Sequence, residues 1–315
     1  MRVLTKIRFP QSGRIKQHFS PAAWILIFTL CGVFNSFVTQ AQTPNTITGL
    51  LLWLDANDPD GDGNAANNPV SGGNLAAWID KSGNGNNTSV VGGQNTPVFI
   101  SSSADLINGV PVVRFASVNR NLGSVYQVAG VDLRSSVNED ISIFTVYRPR
   151  AKYSTRSQGV WGNDNGGFDR FYFSSYEVSG AGTNGLASKG GGGEIVPSAG
   201  EVGTVRLMTA IYDGNNATPN SSAIYFDGEV VATFQDLSSS TDAHTNMFIG
   251  WDGDDNTYDG DIAEIIVYNK KLNDCELQQV NKYLAQKYGR SFGGVATAPG
   301  GVKDNSACNL GTGIK

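Results

Sequence analysis

Ile141-Ser-Ile-Phe-Thr-Val-Tyr147 is the stretch whose reading decides the fold class. Stiff β-branched and aromatic side chains fill it and suit a pleated surface, and apolar residues fall on both of its faces. A strand of that kind belongs in the middle of a covered sheet. Working outward, Ile224-Tyr-Phe and Val230-Val231 flank Asp227-Gly228, whose tolerance of positive φ suits a tight hairpin turn. Further short apolar runs cover Leu50 to Leu54, Val110 to Phe115, Phe171 to Ser175, Val205 to Tyr212, Ala223 to Phe226, Glu229 to Phe234, Met247 to Trp251 and Ile262 to Tyr268. Clusters of Gly, Asn, Asp and Ser separate them, which is the signature of an all-β sandwich or barrel.

One segment departs from this pattern. From Asn273 the apolar residues Leu277, Val280, Leu284 and Tyr288 recur every three or four positions, the period of an amphipathic helix. Asn273 is placed to cap the first turn, Glu276 completes a capping box and Gly289 supplies the stop. The spacing predicts a short C-terminal helix laid against the β-structure. Residues 293–315 are rich in Gly, Ala, Pro and Ser without periodicity and read as a flexible tail or linker.

The amino end reads as a leader. Arg2, Lys6, Arg8, Arg14 and Lys16 precede Ala22 to Leu30, an apolar run, and the small-residue exit Thr39-Gln-Ala41. These are the parts of a secretory signal peptide, residues 1–41, with the cut after Ala41. Gly32, Asn35 and Ser36 interrupt the run well short of the 18 or so residues that spanning needs, so no stable membrane insertion is expected. The mature globular part is then 42–292. Those five are the only charged residues before position 42, so of 23 basic residues 18 remain against 28 acidic ones, a balance of −10. That charge argues against a nucleic-acid footprint or an anionic membrane surface and favours cationic or neutral partners.

Cleavage would also remove His18 and Cys31, leaving His244, Cys275 and Cys308. A single histidine cannot build a histidine-rich zinc site, nor two cysteines a cysteine one. In an oxidising compartment Cys275 and Cys308 can pair as a clip between the helix and the tail; two free thiols are the other reading.

The order of four motifs resembles the LamG-like (laminin G-like) group of the concanavalin A-like lectin/glucanase superfamily. They are Gly49-Leu-Leu-Leu-Trp-Leu-Asp55, Trp78-Ile-Asp-Lys-Ser-Gly-Asn-Gly-Asn86, Asn108-Gly-Val-Pro-Val-Val-Arg-Phe115 and Gly260-Asp-Ile-Ala-Glu-Ile-Ile-Val-Tyr-Asn269. The resemblance covers about residues 47–290. It implies a jelly roll of two antiparallel sheets, usually an extracellular module that binds sugar or protein, often with calcium. Trp53, Trp78 and Phe115 are expected as core aromatics, and Ser82-Gly83-Asn84-Gly85 as a turn.

Four constellations could carry chemistry. In Asp58-Pro-Asp60-Gly-Asp62-Gly-Asn64 alternate carboxylates with glycines between them let the chain curl around one hard cation, so Asp58, Asp60, Asp62 and Asn64 are candidate calcium ligands. Pro69 stands where an EF-hand carries its bidentate Glu, so other oxygens would complete the shell; a solvated acidic turn is the alternative. A second acidic cluster, Asp252 to Asp261, is either a long solvated loop or another ion site. For sugar, Trp161, Asn163 and Asp164 together with Trp251, Asp252 and Tyr258 offer aromatic faces beside polar groups on expected loops, if the aromatics are not simply closing the core.

An enzyme reading rests on Asp259, Asp261 and Glu264, spaced like the catalytic strand that resemblance to the β-glucanases implies. A retaining glycosidase needs two carboxyls about 5 Å apart. Regular alternation puts Asp259 and Asp261 on one face and Glu264 on the other, so the pair requires a bulge. His244 reads as a surface residue, since no nucleophile elbow accompanies it. Gly190 to Gly193 lack the Lys and Ser/Thr of a phosphate loop. The expectation is a secreted or bacterial cell-surface, non-catalytic binding or adhesion module for glycan or a surface protein, with further domains of a longer surface protein as possible neighbours. The alternatives are a glucanase-type hydrolase and a structural spacer.

Overall fold

Alternation of side chains, buried on both faces, builds the molecule from its middle. A computed structural model describes residues 43–290 apart from 103, 135–136, 167–171, 179–182, 189–192, 215–217 and 237–242. The leader at 1–41, the tail at 293–315 with Cys308, Phe171 and Gly190–Gly192 lie outside the described residues. In chain order the strands are β1 (Leu50–Asp55), β2 (Ser89–Val90), β3 (Val98–Ile100), β4 (Val112–Phe115), β5 (Tyr126–Val128), β6 (Asp140–Pro149), β7 (Gln158–Gly162) and β8 (Tyr172–Tyr176). There follow β9 (Gly185–Ser188), β10 (Gly193–Val196), β11 (Arg206–Asp213), β12 (Ser222–Phe226), β13 (Glu229–Phe234), β14 (Met247–Ile249), β15 (Gly260–Tyr268) and the helix α1 (Asp274–Tyr288).

The strands form two antiparallel sheets packed as a sandwich. One runs β13-β12-β11-β6-β15-β4-β3 and the other β10-β9-β8-β7-β14-β5-β2. β6 lies between β11 and β15, the central place its two apolar faces required. The free edge of β15 is shared, β4 pairing at Gly260 to Ile262 and β1 from Glu264 to Tyr268. Ile141, Ile143 and Tyr147 of β6 point into the inter-sheet core with Trp161, Phe173 and Ile249 of the opposite sheet. Phe144 and Val146 point the other way, into a second core closed by Leu277, Val280, Leu284 and Tyr288 of α1. Each such fully buried side chain contributes about 1.5–3 kcal/mol.

Local signals hold where the turns are tight. Asp227 and Gly228 both have positive φ, +51° and +83°, as the two-residue turn from β12 to β13 demands. On α1, Asn273 Oδ1 accepts from the backbone N–H of Cys275 and Glu276, Glu276 Oε2 accepts from Asn273 N, and Gly289 ends the helix in the left-handed region.

The second motif has a role beyond its turn. Across the edge of β1 not paired with β15, Asp80 Oδ1 accepts from Trp53 N, Lys81 N donates to Trp53 O, and Asn84 and Asn86 side-chain amides donate to Leu51 O. The loop takes the place of a neighbouring strand and satisfies an edge that would otherwise be open. Among the described residues no helix is long and apolar enough to cross a membrane.

Candidate functional site

The Asp58 loop leaves β1 and curls as the sequence proposed. Gly61 has φ +70°, and a Cβ there would stand 2.6 Å from Ile79 Cγ2, so glycine is required on both counts. The curl brings one carboxylate oxygen from each of Asp58, Asp60 and Asp62 within 4.8 Å of one another. Asp58 is buried and accepts from Gly63 N; Asp62 accepts from Asn64 N at 2.7 Å and Asn67 Nδ2 at 2.5 Å. The remaining candidate, Asn64, accepts from Ala66 N through its Oδ1. Asp60 is the strained member: partial burial and the Asp62 and Asp58 carboxylates raise its pKa, and its Oδ1 is buried without a hydrogen-bond partner. Three converging oxygen donors and one orphaned carboxylate oxygen fit a hard divalent cation such as calcium.

A residue outside the motif completes the local charge. Lys81 Nζ lies 2.9 Å from Asp58 Oδ2, 3.1 Å from Asp55 Oδ2 and 4.8 Å from the centre of the Trp53 ring. The signal for it in the sequence was the Trp78 to Asn86 motif, which shows a turn but not what that turn reaches.

At one end of the sandwich, loops following β7 and β14 enclose an open cavity of about 380 Å³. Among the described residues, Asp164, Glu177, Asp252, Asp254 and Asp255 line it, and Arg120 pairs with Asp255 at 3.0 Å. Asp252 organises the rim by accepting from Asn256 Nδ2 at 2.7 Å and from the backbone N–H of Asp254 and Asn256. Burial outweighs those bonds and pushes its carboxyl up to about 7. Burial also raises Glu177, whose Oε2 accepts from Ser157 Oγ at 2.7 Å. Among the described residues acidic side chains outnumber Arg120 around the cavity, a balance that disfavours anions and suits neutral polyols or cationic groups. Arg120 and Glu177 come from distant elements and carried no local signal.

The six residues proposed for sugar do not act as one group. Asp164 and Asp252 line the cavity. Asn163 is fully buried behind it, its Nδ2 donating to His244 O. Trp251 is half-buried and packs edge-on against Phe248 at 4.9 Å. Trp161 and Tyr258 offer no stacking face: both are fully enclosed, Trp161 because it lies on β7 and donates from Nε1 to Thr145 Oγ1, Tyr258 because it packs beneath Phe115. His244 is exposed, as expected, and its Nε2 lies 3.2 Å from Gly253 O.

The comparison that decides the family covers the part of the chain carrying both walls of this cavity. A laminin G family model, described as the concanavalin A-like lectin/glucanases superfamily, matches residues 121–278. The chain belongs to that superfamily. No curated protein matches it. Solved structures similar to this superfamily member include Trypanosoma rangeli sialidase, at 13% identity and TM-score 0.45 over 76% of this chain and 33% of that one. Domain 4 of AbnA, a GH43 extracellular arabinanase from Geobacillus stearothermophilus in complex with arabinotriose, matches at 13% identity and TM-score 0.45 over 73% of this chain and 96% of that one. The botulinum neurotoxin serotype D binding domain matches at 11% identity and TM-score 0.47, over 76% and 51% respectively. The chain thus spans about a third of the sialidase's length.

For a member of a superfamily that includes glucanases, the fate of Asp259, Asp261 and Glu264 matters. The bulge that the pair needs is present: the register against β6 shifts between Ile262 and Glu264. Ile262 and Ile265 then both face the inter-sheet core, and Glu264 turns toward α1. Yet Asp261 and Glu264 are fully engaged. Asp261, 0% exposed, accepts from Arg114 Nε at 2.7 Å and Arg148 Nη2 at 2.6 Å. Glu264, 1% exposed, accepts from Trp53 Nε1, Tyr283 Oη, Tyr288 Oη and Lys287 Nζ at 2.7–2.8 Å. Asp259 Oδ2 accepts from Tyr153 Oη at 2.5 Å. No glycosidic oxygen can reach Asp261 or Glu264 without lifting arginines or the helix, so the glucanase-like spacing here serves the fold. Cys275, near the start of α1, is disulfide-bonded; its expected partner Cys308 lies outside the described residues.

Proposed function

We propose that this chain is a secreted or cell-surface, non-catalytic module that recognises glycan or a surface protein through the loops at one end of its sandwich, with calcium ordering the Asp58 loop. The observation that carries the reading is the open acidic cavity between the loops after β7 and β14, set beside the burial of Asp261 and Glu264. Its charge favours neutral or amine-bearing sugars and basic protein side chains over acidic ones. A glycan array probed in calcium tests it: neutral or amino sugars are retained and released unshortened, and the Asp164→Ala, Asp252→Ala double variant binds at least tenfold more weakly, about 1.4 kcal/mol. Release of new reducing ends, lost in Glu264→Gln, would establish the hydrolase instead.

The calcium part has its own test. A cation that binds only the folded state stabilises it by RT ln(1 + [L]/Kd), so millimolar calcium on a micromolar site adds about 4 kcal/mol and raises Tm by several degrees. Melts of residues 42–315 in EDTA and then in calcium should show that rise, and Asp60→Ala with Asp62→Ala should abolish it. An unchanged Tm would make the loop a solvated turn.

A further inference from the structure

Building on the reading of the Asp58 loop as a calcium site, we infer that Lys81 is a tethered counter-cation that competes with the ion for Asp58 and thereby sets the site's affinity. Its ammonium sits on Asp58 Oδ2 at 2.9 Å, so one of the three converging carboxylates already carries a positive partner. A divalent ion drawn in by Asp60 and Asp62 meets that charge at close range, and the repulsion subtracts from its binding.

What makes the competition workable is that Lys81 has somewhere to stay. When the ion takes Asp58, the ammonium keeps Asp55 Oδ2 at 3.1 Å and the face of Trp53 at 4.8 Å. Asp55 in turn is held on its other oxygen by Lys287 Nζ at 2.7 Å, and Lys287 reaches Glu264 at 2.8 Å. Asp58, Lys81, Asp55, Lys287 and Glu264 therefore form one continuous row of alternating charges from the loop to the helix. Neither end is stranded when the first link is exchanged. An acidic loop with no cationic side chain beside it binds ions as tightly as its oxygens allow; this one is tuned downward by Lys81.

The experiment is calcium titration by calorimetry on residues 42–315, comparing the native protein with Lys81→Gln and Lys81→Arg. Loss of one positive charge at this range strengthens calcium binding about tenfold in Lys81→Gln, while Lys81→Arg, which keeps the charge, stays within about threefold of the native value. A native protein that binds calcium while Lys81→Gln binds no more tightly overturns the inference and leaves the calcium site standing. Absence of binding in all three proteins overturns both. Should Lys81→Gln fail to fold, reductive methylation of the native protein followed by peptide mass spectrometry decides the question. Saturating calcium should raise the labelling of Lys81 but not of Lys287, and equal labelling of Lys81 with and without calcium overturns the inference.

Discussion

Lys287 shows how much a single side chain carries in this molecule. Its ammonium reaches Asp55 at 2.7 Å, Glu264 at 2.8 Å and the Tyr283 hydroxyl at 3.0 Å, and lies 5.5 Å from the centre of the Tyr288 ring. Burial alone would push both carboxyls up. Lys287 and Lys81 together reverse that for Asp55, holding it below the ordinary carboxylate range, whereas Glu264, more deeply buried and facing Asp55, stays raised. Replacing Lys287 with Met leaves two buried carboxylates facing each other. Removing one partner of a buried ion pair costs about 3–5 kcal/mol, and urea unfolding of Lys287→Met should show a loss of that order, with α1 losing its ion pair to β1 but keeping the Tyr283–Trp53 ring contact. A loss under about 1 kcal/mol would mean the row is solvated and energetically minor. None of this was legible beforehand: Trp53 and Glu264 meet across 211 positions of sequence. Only the isolated motifs around each of them were visible.

At the scale of elements the contrast between what sequence declares and what it conceals follows from locality. The helix was fully legible, because the capping box, the apolar period and the terminal Gly289 each act through neighbours about four positions away or fewer. The hairpin through Asp227-Gly228 was legible for the same reason. β7 was not, and its Gly159 and Gly162 explain why. A Cβ at either would stand 2.5 Å or less from backbone atoms of Asp252, so the strand uses glycine to let the cavity loop come close. Composition there reads as a loop, and that is how Trp161 came to be expected on a surface. β9 and β10, with Gly185, Ser188 and Gly193, hide in the same way. The bulge in β15 was foreseen only as a condition for catalysis; it is present and instead turns Glu264 onto the helix.

For the molecule as a whole, Asp252 ties stability to pH. In the unfolded chain its carboxyl ionises near 3.8, in the folded protein only near 7. Between those values the folded state holds a proton that the unfolded state has released, so the contribution of Asp252 is fully present below about 3.8 and is lost as pH rises through 7. Asp252→Asn cannot ionise and should gain on the native protein as pH rises from about 5 to about 7.5. Urea unfolding of both at the two values checks this, and a constant gap between them would refute it.

The shared edge of β15 has a mechanical side. Residue Leu50, where the chain enters β1, pairs with Tyr268, while Asp55 at the other end of β1 pairs with Glu264 and binds Lys287 near the close of α1. Residues 43 and 290 therefore leave from opposite ends of the same strand. Tension applied between them pulls β1 lengthwise along β15, so its backbone hydrogen bonds and the Lys287 ion pairs are loaded together in shear instead of being peeled open one by one.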